Sequence, residues 1–532
     1  MGAPRTAPTL AQPAAQDLIF FSLHCRIATH SCKLTATLQP ARQVAMRFWL
    51  PLFAALVLSS CGPAGDAGPI EVAIIGAPGS LFQQGVRLGP PAQHVRAATS
   101  EGLVALDQAG QVVPAIAERW IVTDDGLSYI FRLRDTTWRN GGEITALDVR
   151  QQLRQAMARV SGTSLALDLA RVREIRAMTG RVVEVRLTAP MPDFLRLLAQ
   201  PELGFVRNGS GAGPMAIARK GQGKGARLSA LPPESRGLPA REDWEDVARP
   251  VAVRALSAED AVAAFSRGEV DLVLGGSIID FPQAEAGPLS RGTIQVDPAI
   301  GLLGLTVRRE TGLLADPARR EALSMAIDRA ALIQSFGLSG WRESSWIVPP
   351  DVFAVPPYRE DRWNGASIAE RRKVAAARVQ AWTGPGREAI VRVALPRGPG
   401  SDLLLEQLAT AWGAIGVAVR RAAPGEAADL ELRDTLARYA SPHWYINQFN
   451  CTLGAGLCAP RADALVRETL TERDAARREA LLVEAHAALV EREVYIPLGV
   501  PVRWSLVRGT TRNYLPNCLL YTSPSPRDRQ KS

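Results

Sequence analysis

The stretch from Ser100 to Met157 constrains the fold of this chain more than any other. It opens with a short apolar strand (Leu103, Val104, Leu106) closed by Asp107, and then a small-residue segment leads to Trp120-Ile121-Val122. The pair Asp125-Gly126 supplies the positive φ that a tight hairpin turn needs. Beyond it, Leu127, Tyr129, Phe131 and Leu133 alternate with Ser128, Arg132 and Arg134, the period of a half-buried strand. Thr145 and Asp148 form a capping box that starts a helix. Its apolar stripe is Val149, Leu153, Ala156, Met157 and Val160. Strands, hairpin and helix together predict a mixed α/β body.

The same residues carry a family resemblance. Glu101-Gly102-Leu103, Asp107, Gly110, Pro114, Ala117, Trp120, Asp125-Gly126, Tyr129, Phe131, Leu133-Arg134, Asn140-Gly141, Thr145 and Asp148-Val149 stand in one ordered series. That series resembles the signature region of family 5 extracytoplasmic solute-binding proteins, the oligopeptide-, dipeptide- and nickel-binding components of ABC importers. A second block, Asp316-Pro317-Ala318-Arg319-Arg320-Glu321-Ala322-Leu323-Ser324-Met325-Ala326-Ile327-Asp328-Arg329, is similar to the family's V-R-x-A-L-x-x-A-I-D-R phrase, with Ala318 replacing Val. Pro317 is expected at the first helical position behind an Asp316 cap, with Leu323, Ala326, Ile327 and Ala330 on the buried face.

The resemblance implies an α/β, two-lobed periplasmic-binding-protein (type II-like) fold, with an extra small α+β domain inserted in the first lobe. The expected division is lobe I at 70–113, inserted domain at 114–203, lobe I again at 204–274, lobe II at 275–492, and a return to lobe I at 493–517. Within it, Val251–Leu256 reads as a strand, Glu259–Phe265 as a helix, and Val494 to Leu498 as the returning strand. The implied function is capture of a peptide or peptide-like solute between the lobes and delivery to permease subunits, by hinge closure. A ligand sensor or chaperone-like envelope protein of the same fold is the alternative. The expected receptor is a monomer with neither cofactor nor metal.

Both ends read differently from the body. Residues 1–45 are rich in Ala, Pro and Thr and are expected to be an over-extended gene start without structure. In 46–60, Met46-Arg47 gives a positive start and Phe48 to Leu58 an apolar run too short to span a bilayer, as in a signal peptide. Leu58-Ser59-Ser60-Cys61 resembles a lipobox, which implies lipid attachment at Cys61, a tether over 61–69, and a periplasmic location on a membrane. Gly62 after that cysteine implies, by the Gram-negative sorting rule, no retention at the inner membrane, which keeps the sensor alternative open. Residues 518–532 resemble the translation of a transposon-type sequencing adapter, so the natural sequence is expected to diverge near Asn517.

Composition matters only once the ends are set aside. The chain carries 62 basic and 53 acidic residues, net +9, but 1–60 and 518–532 supply eight of the basic and two of the acidic ones. The body is left at +3, which gives no argument for nucleic acid. Of six cysteines, Cys451 and Cys458 alone remain after the ends and Cys61 are removed. They flank a small flexible loop with no His at ligand spacing, so a disulfide is favoured over a metal pair.

No catalytic motif stands out, and His94, His443 and His486 are widely spaced in sequence, so the chain is read as a binder and not an enzyme. The Asn208 to Pro214 loop, similar to the family's G-T-G-P-Y element, lacks the Lys-Ser/Thr that a phosphate loop needs. The cleft is where this chain departs from the resemblance. Peptide binders of the family place an aspartate for the ligand's α-ammonium in a strand-x-x-Asp-Tyr-x-x-Pro segment. Here Tyr439 and Pro442 match and Arg438 stands at the acid's position. A guanidinium there favours a carboxylate or phosphate, and hence an anionic or N-blocked ligand. Alternatively, Arg438 points away or pairs with Asp434. Glu101, Gly102 and Leu103 are carried over as ligand-side residues. Trp444, Tyr445 and Asn447 are added as cleft candidates, with core packing an equal reading for the aromatics.

Overall fold

A computed structural model describes residues 68–509, apart from 108, 179, 222–223, 285–292, 298 and 385–386. The expectations for 1–60, for lipid attachment at Cys61 and for 510–532 lie outside the described residues.

Three sheets organise the chain. The first has seven strands, in the spatial order Met215–Lys220, Gly225–Ala230, Val251–Leu256, Ile70–Ile75, Leu272–Ser277, Arg503–Val507, Ile294–Asp297. Its central strand Ile70–Ile75 runs parallel to both neighbours, and the outer pairs are antiparallel. The helix Ala258–Ser266 packs its Ala261, Val262 and Phe265 on one face, against Ala73, Val273 and Leu506. This sheet is lobe I.

The second sheet, in lobe II, is five-stranded: Val417–Arg421, Ala389–Ala394, Leu430–Leu436, Gly301–Val307, Tyr495–Gly499. The strand Gly301–Val307 is buried at every position, as expected of a central strand covered on both faces. The third sheet is a four-stranded antiparallel one, Ala117–Val122, Ser128–Leu133, Val182–Leu187, Val172–Ala177, lying within the expected inserted domain. Gly126 takes φ 65° at its first hairpin, and Tyr129, Phe131 and Leu133 face inward as their alternation predicts. The capping box forms: Thr145 N donates to Asp148 at 3.0 Å and Asp148 N to Thr145 Oγ1 at 3.2 Å, opening the helix Ala146–Arg159.

Three expectations are corrected. Strand Tyr495–Gly499 is not a return to lobe I, because it pairs antiparallel with Gly301–Val307 in the lobe II sheet; the return is made by Arg503–Val507. Lobe II does not begin at 275, because Ile294–Asp297 is still an edge strand of the lobe I sheet. The helix after Asp316 ends at Ala326, where Ile327 is extended, and a new helix starts at Arg329; Arg329 is therefore buried and Ala330 exposed. Arg329 is satisfied by the Pro497 carbonyl at 2.7 Å and by Ser324 Oγ at 2.9 Å.

The two lobe sheets are joined by two short passages, from Asp297 to Gly301 and from Gly499 to Arg503. Beside them, Arg503 of the lobe I sheet donates to both oxygens of Asp434 in the lobe II sheet, at 2.8 and 3.0 Å. The segment after Leu272–Ser277 also reaches lobe II, where Gly400 N donates to the Ile279 carbonyl at 2.8 Å. That contact requires glycine, since a Cβ on Gly400 would lie 2.0 Å from the Ile278 oxygen.

Candidate interlobe binding site

The candidate residues fall into two groups on different elements. Glu101, Gly102 and Leu103 precede the strand Val104–Leu106. The Glu101 side chain is turned inward, between two buried guanidiniums: Arg134 of the inserted domain at 3.3 Å and Arg236 of lobe I. The backbone here is also engaged. The Glu101, Gly102 and Leu103 carbonyls accept from Phe205, Ile116 and Ala117, and a Cβ on Gly102 would meet the Leu198 oxygen at 3.0 Å. Leu103 is core. Glu101 thus ties the inserted domain to lobe I, and its carboxylate is not free for a ligand.

The second group follows the strand Leu430–Leu436. Arg438 does not pair with Asp434, which is taken by Arg503; it reaches the inserted domain, with Nη1 3.2 Å from Ser164 Oγ and 3.8 Å from Asp168 Oδ2. About a fifth of its side chain stays exposed (21%), so the guanidinium is only partly committed. Tyr439, Trp444 and Tyr445 are buried in an apolar cluster shared by the inserted domain and the lobe II helices. Of the two readings of Trp444 and Tyr445, ligand stacking is corrected and core packing is the one seen: their rings pack edge to face on each other inside that cluster. The short helix Pro442–Asn447 presents all its residues to the interior, so no ring on it reaches solvent. Asn447 spends its amide on Asp168 Oδ1, at 2.9 Å.

Sequence reading missed Asp168, on the helix Ser164–Asp168 of the inserted domain. Its carboxyl is pushed up to about 6, chiefly by burial, with Arg438 and the Asn447 amide pulling the other way. The Tyr439 phenol faces the same carboxylate and is pushed well up by burial and by that charge. His443 accepts from Arg171 across 2.7 Å and meets Thr469 Oγ1 at 2.6 Å; burial, and then Arg171, hold it well below the usual imidazole range. The signal was in the sequence only as an isolated acid, nearly 280 positions from its partner Asn447.

Cys451 and Cys458 are joined as a disulfide, with Cα atoms 5.2 Å apart. The Asn208 to Pro214 loop is a structural seat: a Cβ on Gly211 would lie 2.2 Å from the Thr99 oxygen, and Gly213 N donates to that oxygen at 2.9 Å. Among the described residues, no three His, Cys, Asp or Glu side chains converge as a metal set, and no helix is long and apolar enough to cross a membrane.

Two mixed sheets joined by paired passages, with a small domain inserted in one lobe and resting on the other, form the two-lobed α/β architecture of periplasmic binding proteins. Solved structures bear this out. The chain is similar to the Haemophilus influenzae OppA complex with RPPGFSPFR (TM-score 0.71, 18% identity, 86% of this chain and 97% of that one). It is similar also to the Escherichia coli murein tripeptide binding protein MppA (TM-score 0.72, 18% identity, 87% and 97%). Among curated proteins, a probable di/tripeptide-binding protein 5 of Pseudomonas aeruginosa is 24% identical over 470 residues, 77% of this chain and 85% of that protein. The model of bacterial extracellular solute-binding proteins, family 5 Middle, matches residues 111–450, and the chain belongs to that family. It is a substrate-binding receptor of the ABC-importer type.

Proposed function

We propose that this receptor captures a peptide or peptide-like solute between its lobes and hands it to ABC permease subunits, without altering it chemically. The observation that carries the reading is the family match across both lobes, together with relatives whose names specify di/tripeptide, murein peptide and glutathione binding. Closure about the paired passages supplies the mechanism: lobe II moves toward the inserted domain and lobe I, and the solute is enclosed as water is expelled.

Arg438 shapes the ligand class. Its partly exposed guanidinium, 3.8 Å from Asp168, is a poor neighbour for an ammonium and a good one for a carboxylate. A peptide with an acidic or blocked end fits better than one with a free N-terminus. The lipobox-like Leu58 to Cys61 run supports export and anchoring to a membrane through Cys61.

Native mass spectrometry of the purified protein, followed by denaturing release, tests the reading. A co-purifying peptide with an acidic or blocked end is the expected result. An empty protein that also shows no thermal shift with di-, tri- and oligopeptide panels would overturn peptide capture and favour a sensor role.

A further inference from the structure

The inserted domain and lobe II meet through a buried polar cluster set beside the apolar core that they share. From the inserted domain come Ser164, Asp168, Arg171 and Thr188. Lobe II supplies Arg438, Tyr439, His443, Asn447, Thr469 and the Leu470 carbonyl. The contacts cross the boundary: Arg438 to Ser164 at 3.2 Å, Asn447 to Asp168 at 2.9 Å, Arg171 to His443 at 2.7 Å, and Thr188 Oγ1 to the Leu470 carbonyl at 2.5 Å. Asp168 and Arg171 are 3% and 5% exposed. Both charges would return to water if the two units parted.

We propose that this cluster is an interdomain latch that sets how readily the ligand-free receptor opens, and so how readily solute enters the interlobe space. Three features make it a latch and not only a packed interface. First, the inserted domain is already tied to lobe I by the Glu101 pairs with Arg134 and Arg236, so parting the lobes must break the Asp168 cluster and not the other side. Second, its strength is moderate by construction. Asp168 Oδ2 sits 3.8 Å from Arg438, beyond hydrogen-bond reach of it, and the Arg171 Nε and Trp444 Nε1 lack hydrogen-bond partners. A buried pair with imperfect geometry recovers little of its desolvation cost, so it can be broken and remade. Third, Asp168 is the one acid among the cluster's named side chains, acted on by both Arg438 and Arg171. Removing its side chain takes the counter-charge from Arg438 and Arg171 and the acceptor from the Asn447 amide together, and so weakens the contact.

Hydrogen exchange and small-angle scattering on the ligand-free full chain at pH 7.5 test the proposal. Asp168→Ala is expected to speed exchange at least tenfold in both the Ser164–Asp168 and Pro442–Asn447 helices and to enlarge the radius of gyration, while the strand Ile70–Ile75 stays protected. Asn447→Ala, which removes one hydrogen bond and no charge, is expected to act in the same direction by a smaller factor. It carries the test if Asp168→Ala does not fold. Unchanged exchange in both helices in a folded variant would overturn the latch. So would faster exchange at an unchanged radius, which would mean local loosening without opening.

Discussion

Glu101 shows how a single side chain can be misassigned when only its neighbours in sequence are seen. Its place in the signature run implied a ligand contact; its place in the fold is between Arg134 and Arg236, all three nearly excluded from water. Removing one partner of a buried ion group typically costs about 3–5 kcal/mol, because the surviving charges are left unpaired. Glu101→Ala should therefore lower unfolding stability by an amount of that order in urea titrations, with Glu101→Gln losing less; a loss under about 1 kcal/mol would contradict the assignment. Asp168 yields a pH prediction with its sign fixed by two neighbours. Its carboxyl is raised to about 6, so the folded contact gains from protonation below the ordinary carboxylate range and loses that gain as pH rises through 6. His443 is lowered, so it opposes: its contribution is present above the usual imidazole value and lost on acidification. Asp168→Asn removes the first contribution and leaves the second. Its melting temperature, unlike that of the wild type, should fall steadily between pH 7.5 and 5. A variant curve parallel to the wild type would show that Asp168 does not titrate in this range.

Individual elements were legible where local chemistry decides them. The Thr145–Asp148 box, the Asp125-Gly126 hairpin and the strand Val251–Leu256 all follow from caps, turn residues and period. Thr145→Ala should cost about 1 kcal/mol, the usual worth of an N-cap, measured by thermal unfolding. What sequence could not tell was which sheet a fully buried strand joins. Tyr495–Gly499 is apolar along its whole length and would suit either lobe; only its pairing with Gly301–Val307 assigns it. The break at Ile327 was hidden because Leu323, Ala326 and Ala330 keep helical spacing across it, while Arg329 turns inward to the Pro497 carbonyl 168 positions away. At the Pro399–Gly413 helix, Gly400→Ala places a methyl against the Ile278 carbonyl, and a loss of roughly 1–3 kcal/mol from overpacking is expected in chemical denaturation.

At the scale of the molecule, the Arg503–Asp434 pair is a charged link between the two lobe sheets, beside the passages. Arg503→Ala should uncouple them, splitting a single calorimetric transition into two; one transition at the wild-type temperature would show that this pair is not what couples the lobes. The family and the two-lobed frame could be read from sequence because they rest on an ordered run of local signals. The Asp168 cluster could not, because it exists only where two distant segments are folded against each other.

The strand order of lobe I has a consequence for biosynthesis. All five strands of lobe II lie between residues 301 and 499, so that lobe can close as soon as it has been made. Lobe I has Ile70–Ile75 at its centre and needs Arg503–Val507 between Leu272–Ser277 and Ile294–Asp297. A chain made from its N-terminus therefore carries an unfinished sheet, with the Leu272–Ser277 edge bare, through more than two hundred residues of synthesis. That interval is when a chaperone, or a translocase that moves unfolded chains, has its best hold on the protein.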